Sequence, residues 1–274
     1  MQQKENQLVS SVRVQPGTPA GLAGRDPGSR LGLGGKKAGL ERLAELVSKL
    51  ADLHDRLWAE STRSLLLVLQ GLDASGKDGT IRHVLTGVNP QGCRVVSFRE
   101  PTATEVAHDY LWRVHAACPA RGELGIFNRS HYEEVVTVRI RGLAPPSVWK
   151  RRPDHIREFE RVLTDEGTRI VKAFLHVSKD EQRKRLQERL DVPEKAWKFR
   201  PGDLEDRARW DDYLEAYEEV ITATSTTWAP WHVIPADRNW VRNVAIAELL
   251  VHALTELDPQ YPPPDPSLAG VQIV

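Results

Sequence analysis

Short apolar runs alternate along this chain with segments in which apolar positions recur every three or four residues. Leu65–Leu69 is continuously apolar, as in a strand buried on both faces of a parallel sheet. Val95–Phe98, Leu124–Phe127, Thr168–Val177 and Trp231–Ile234 read as further strands. Helical spacing predicts helices over Ala38–Thr62, from Lys77 to near Gly87, over Thr104–Ala117, from about His131 to Ile140, and over His155–Asp165. It predicts three more over Lys179–Leu190, Trp210–Ala223 and Asn239–Leu257. In the first of these helices Leu43, Val47, Leu50, Leu57 and Trp58 share a face, which suits core or oligomer packing. Strands alternating with helices imply an α/β fold: a five-stranded parallel sheet wrapped on both faces.

Residues 1–37 lack periodicity and hold many Gly, Pro and Arg. They are expected to form an extended or disordered N-terminal arm, or one that wraps a neighbouring subunit. Residues 38–260 contain no linker and read as one domain, and Pro262-Pro263-Pro264 opens a tail over 261–274. Lys+Arg and Asp+Glu both number 38, so the formal charge is zero. That disfavours a broadly cationic nucleic-acid binder but leaves room for local basic grooves. The two cysteines, Cys93 and Cys118, have no metal-site spacing and suit a reducing cytosol. No apolar run approaches the roughly 18 residues of a membrane span, and MQQKENQLVS lacks the apolar core of a secretion signal. A cytoplasmic protein with no membrane partner is expected.

The first strand runs into Gly71-Leu72-Asp73-Ala74-Ser75-Gly76-Lys77-Asp78-Gly79, which fits G-x-x-x-x-G-K. Such a loop aims backbone N–H groups and a helix N-terminus at phosphate oxygens. A plain glycine turn has the same spacing, but the flanking strand and helix favour the phosphate loop. Asp78 stands where a Ser/Thr would ordinarily take Mg²⁺, and Asp73 adds a second carboxylate. Metal and charge must therefore be handled differently here.

At the end of the third strand lies Asn128-Arg129-Ser130-His131-Tyr132-Glu133-Glu134. Ligands bind at such strand ends in open α/β sheets. Ser130 is also a good helix cap, and His131 reads as a structural hydrogen-bond partner. Arg99-Glu100-Pro101-Thr102, after the second strand, is placed to line an acceptor side. Arg185 and Arg189 share a helix face, within a charged stretch running to Arg209. That stretch is either a solvated face or a mobile lid that carries arginines onto a transferring phosphoryl group.

The loop GLDASGKDG, the run PTATEVAHDYLWRVH, the motif FNRSHYEEV, and RKRLQERLDVPEKAWKFRPGDLEDRARWDDY followed by APWHVIPAD together resemble the family-2 polyphosphate kinases over residues 40–260. The resemblance implies a thymidylate-kinase-like P-loop fold in three layers, with a helical lid at about residues 183–212. It implies phosphoryl transfer, with Mg²⁺ as cofactor, between inorganic polyphosphate and nucleoside mono- and diphosphates, by a homo-oligomer (dimer or tetramer). The family's catalytic residues carry over onto Asp73, Lys77, Arg129, Arg185 and Arg189. Gly71, Ala74, Ser75, Gly76, Lys77, Asp78, Gly79, Asn128 and Glu133 would hold phosphates and nucleotide, and Asp73 and Asn128 the metal. Many members carry Asp where Asn128 stands. Asn there, with Glu133 following, resembles the subgroup that phosphorylates both nucleoside mono- and diphosphates, and it shifts metal binding towards Asp73. Polyphosphate would lie in a basic groove near the lid and Lys150-Arg151-Arg152. The alternatives are an ATP-dependent kinase of the same fold and a non-catalytic polyanion binder.

Overall fold

The computed structural model describes residues 2–268 and 271–273; Met1 and tail residues 269, 270 and 274 lie outside them. In chain order the elements are α1 (Gln2–Val12), α2 (Lys36–Glu60), β1 (Ser64–Gln70), α3 (Lys77–Val84), β2 (Cys93–Ser97), α4 (Ala103–Val106) and α5 (Trp112–His115). Then come β3 (Leu124–Asn128), α6 (Val136–Arg141), α7 (Pro146–Trp149), α8 (Arg152–Asp165), β4 (Thr168–His176) and α9 (Lys179–Asp191). The chain finishes with α10 (Pro193–Ala196), α11 (Pro201–Ala208), α12 (Trp210–Thr224), β5 (Trp231–Pro235) and α13 (Asn239–Leu257).

The sheet has the order β2-β3-β1-β4-β5, and every pairing is parallel. β1 is central and buried along its whole length, which is why its sequence is unbroken Leu and Val between Ser64 and Gln70. Helices α2, α3 and α13 pack together, and α6, α8 and α12 form a second group. With the sheet between them, these make the three layers. Most of α13 from Val241 to Leu254 is buried, because the sheet lies on one side of it and α2 on the other. The approach of α2 is close: a Cβ at Gly39 would sit 2.3 Å from the Trp240 ring. Among the described residues no helix is long and apolar enough to cross a membrane.

The N-terminal segment departs from the expected extended or disordered arm. Residues 2–12 are helical, and Leu8, Val9, Val12, Val14, Ala20 and Leu22 are buried in the chain's own core. Val14 N–H donates to the Trp231 carbonyl at 2.8 Å, and Arg13 bridges antiparallel to His232. Glu218 accepts from the N–H groups of Gly21 and Leu22 at 2.8 and 2.7 Å. The segment thus covers the outer edge of β5, whose backbone would otherwise be unpaired.

The helix expected over Thr104–Ala117 is also interrupted, leaving only α4 and α5. Thr102 and Glu105 close a capping box at its start. Asp109 then accepts from the Leu111 N–H at 2.9 Å, a local turn that competes with helix continuation.

Candidate active site

The loop between β1 and α3 sits at the middle of the sheet's C-terminal edge, because β1 lies between β3 and β4. Its path requires glycine at two points. Gly71 has φ 148°, and a Cβ there would meet the Leu175 carbonyl at 2.8 Å. Gly76 has φ 103°, and its Cβ would fall 1.9 Å from Arg242 Nη1. α3 starts directly after Gly76 with no side-chain cap, so its first N–H groups are left for an anion. Ser75 turns inward: its N–H donates to the Leu72 carbonyl at 3.1 Å, and its hydroxyl is buried without a partner. Its expected role in phosphate binding therefore finds no support from side chain or N–H.

Lys77 folds back over the loop and donates to the Gly71 carbonyl at 2.7 Å. Burial, and then the charge of Arg129, push its pKa down to about 8 against the pull of Asp73, Glu133 and Asp78. Asp73 pairs with Arg129. Burial opposes ionisation of Asp73, but Arg129, Lys77 and Arg189 outweigh it and hold the carboxyl below its usual range.

Arg129 reaches Asp73 because the chain turns sharply after β3. Its N–H donates to the Leu69 carbonyl at 3.0 Å, and its own φ is 62°, left-handed for a non-glycine residue. Asn128, opposite Leu69 in the register, donates its amide to Asp78 Oδ1 at 2.8 Å. Its carbonyl oxygen is left as the acceptor. Glu133 accepts from the Thr137 hydroxyl at 2.5 Å, and its charge acts on both Lys77 and Arg129. Ser130 caps the turn that follows, and His131 is buried against Glu160, with its pKa lowered by burial. Both are structural.

The structure separates the two arginines that share a face of α9. Arg189 pairs with Asp203 at 3.0 Å and lies within electrostatic reach of Asp73. Arg185 does not point at the site. It donates to the carbonyls of Ala74 and Ser75 at 3.0 and 3.1 Å and to those of Ala236 and Asp237 at 2.7 and 3.0 Å. The expectation that both arginines meet the transferring group therefore needs correction: Arg185 ties the back of the loop to the end of β5. Arg152 is likewise drawn away from a polyanion groove, to Glu134 at 2.9 Å.

A cleft of about 230 Å³ opens beside Asp73 and Arg129. Arg99, Glu100 and Pro101 line it, and so do Arg113 and Arg141. Three residues near the loop were missed in the sequence. Gln182 donates to the Asp73 carbonyl at 3.0 Å and shares the face of Arg185 and Arg189, so helical spacing held a signal for it. Asp203, which anchors Arg189, had no such signal. Arg242 is a charged residue inside an apolar helix, and that was the available clue.

A phosphate loop at the centre of a parallel sheet, faced by a strand-end arginine and an arginine-bearing helical segment, defines a P-loop kinase fold. The family model for polyphosphate kinase 2 matches residues 35–262. The AMP/ADP-polyphosphate phosphotransferase of Meiothermus ruber is 58% identical over 258 residues, covering 94% of this chain and 97% of that protein. The ADP-polyphosphate phosphotransferase of Rhodopseudomonas palustris is 46% identical, over 83% of each chain. The crystal structure of polyphosphate kinase 2 from Arthrobacter aurescens TC1 superposes with a TM-score of 0.91 at 44% identity, covering 94% of this chain and 93% of that one. The chain belongs to the polyphosphate kinase 2 family and is a kinase that uses polyphosphate.

Proposed function

We propose that this enzyme moves terminal phosphoryl groups from inorganic polyphosphate onto AMP and then onto ADP, with Mg²⁺ as cofactor. The observation that carries the reading is the cluster of Lys77, Asp73, Arg129 and Asp78 with a neutral Asn128 around one loop. It is supported by the 58% identity to a protein named for both acceptors.

An oxygen of the acceptor's terminal phosphate attacks the terminal phosphorus of the polyphosphate. The bond to the next bridging oxygen breaks, leaving a chain one unit shorter. The attacking oxygen is largely ionised at neutral pH, so no general base is required. Catalysis is alignment plus neutralisation of charge on the transferring group. Lys77 and the uncapped N–H groups of α3 hold the donor phosphate. Arg129 and Arg189 face the developing charge, and Arg185 acts indirectly by holding the loop's shape.

The donor set fits Mg²⁺. Mg²⁺ typically takes one or two carboxylates and completes its shell with phosphates and water, and the loop offers the Asp73 carboxylate beside the neutral Asn128. Asp73 and the Asn128 carbonyl oxygen would hold it, and it would offset repulsion between phosphates and carboxylates. We place the enzyme in the cytoplasm as a homo-oligomer, dimer or tetramer; size-exclusion chromatography with light scattering tests the assembly.

The test of function is a time course with polyphosphate, Mg²⁺ and AMP as the only nucleotide, with adenylate kinase rigorously excluded. ADP should rise first and ATP later. A reaction that stops at ADP, or an enzyme inert to AMP but active on ADP, defeats the dual-acceptor reading. Activity with ATP as sole donor and none with polyphosphate defeats the donor assignment.

The two arginines of α9 should also part company. Arg189→Ala is expected to lower kcat by about a hundredfold and to lower the melting temperature only slightly, since the Asp203 carboxylate it leaves, although buried, keeps the Arg200 N–H at 3.5 Å. Arg185→Ala should lower the melting temperature by several degrees as well as activity, because four carbonyls lose a donor and only that of Ser75 keeps Arg242 as another arginine donor. Equal melting temperatures for both variants would contradict this division.

A further inference from the structure

Two arginines from different helices meet behind the loop, on the side of its carbonyls. Arg185 has a counter-ion, Glu181, at 2.9 Å. Arg242, on the first turn of α13, is 2% exposed and has none among the described residues. Its partners are neutral: Asn239 Oδ1 at 2.8 Å, Asn243 Oδ1 at 3.0 Å and the Ser75 carbonyl at 3.3 Å. Its guanidinium lies directly beneath the start of α3. A Cβ at Gly76 would be 1.9 Å from Nη1, and one at Gly79 would be 3.3 Å from Nη2.

This position is electrostatically unfavourable in the empty protein. A buried cation costs free energy unless it is paired, and this one sits under the positive end of a helix beside a second arginine. Burial, and then the charge of Arg185, hold its pKa down, to about 9. A phosphate in front of the loop removes the conflict, because its negative charge acts on Arg242 across one layer of backbone.

We propose that Arg242 is a positioning residue for phosphoryl transfer: a buried cation that strengthens polyphosphate binding through the Ser75–Gly79 backbone without touching the ligand. This rests on the phosphate-loop reading above. The competing role is a neutral one, in which Arg242 merely fills space between α13 and the loop.

The experiment measures tripolyphosphate binding to the intact protein by calorimetry, alongside the melting temperature of the ligand-free protein, for Arg242→Met, Arg242→Lys and Lys77→Ala. Arg242→Met keeps much of the volume and removes the charge. It should weaken tripolyphosphate by about tenfold, while the empty protein melts no lower than wild type. Arg242→Lys should stay within about threefold of wild-type affinity, because the charge remains. In turnover assays the loss for Arg242→Met should fall on KM for polyphosphate more than on kcat.

Unchanged affinity in Arg242→Met overturns the proposal. So does an Arg242→Lys variant that binds as poorly as Arg242→Met, since shape and not charge would then matter. A lower melting temperature of the empty Arg242→Met protein also overturns it, in favour of the space-filling role. Lys77→Ala separates the two levels: normal binding there sinks the loop reading itself, whereas weak binding there with normal binding in Arg242→Met sinks only the role of Arg242.

Discussion

Lys77→Ala should leave a folded protein whose turnover with polyphosphate is lower by about a thousandfold. The ammonium is buried at the centre of the loop and held by the Gly71 carbonyl, 2.7 Å away. It belongs to the first residue of α3, and the neighbouring cations are committed elsewhere. Arg129 is committed to Asp73, and Arg185 is committed to carbonyls behind the loop. The fold should survive, because Lys77 donates to neutral carbonyls and its removal strands no carboxylate in the core. The Asp73 carboxylate keeps Arg129 as a partner. A coupled ATP assay and a melting curve decide the matter. Near wild-type turnover by a folded Lys77→Ala protein would remove the phosphate loop from the mechanism.

Asp73→Asn should cost about a hundredfold to a thousandfold in turnover and weaken the apparent affinity for Mg²⁺. Two losses coincide in this variant. The loop gives up a carboxylate whose pKa is held low by Arg129, Lys77 and Arg189, and Arg129 gives up its ion-pair partner. The reciprocal change at the strand end behaves differently. Asn128→Asp looks conservative in the sequence, yet in the structure the Asn128 amide donates to Asp78 at 2.8 Å. An aspartate there would place two carboxylates in contact, and one must take a proton or share a cation. Asn128→Asp should therefore melt lower than wild type without metal, recover with Mg²⁺, and keep activity within about tenfold at saturating Mg²⁺. Normal Mg²⁺ dependence in Asp73→Asn, or a melting temperature of Asn128→Asp that ignores Mg²⁺, would show that the metal is held elsewhere.

The parts of the site that could be read in the sequence are those set by neighbours along the chain. Gly71, Gly76 and Lys77 stand in one loop, and the loop's shape depends on glycine at positive φ. Leu65–Leu69 and the other apolar runs announced a parallel sheet, because a strand covered on both faces has no polar side to show. Gln182, Arg185 and Arg189 share a helix face by spacing alone. The family resemblance added the chemistry of donor and acceptor, which periodicity cannot supply.

Other features depended on segments far apart in the chain. The N-terminal residues look like an arm in the sequence because the helical spacing of Leu8, Val9 and Val12 is short and runs straight into a Gly- and Pro-rich stretch, and nothing local reveals that the edge of β5 needs covering. The direction in which Arg185 points is set by Ala236 and Asp237, at the end of β5. Arg189 takes its place from Asp203, and Lys172 is buried against Glu160 and the Thr224 carbonyl. In each case a charged group chooses its partner by desolvation, a cost that exists only after the layers have packed. The sequence thus determined the sheet, the loop and the residue types gathered around it, since these follow from backbone geometry and apolar patterning over a few residues. Only the tertiary structure decided that Arg189 pairs with Asp203 while Arg185 braces the loop, because that choice depends on which carbonyls and carboxylates burial leaves within reach.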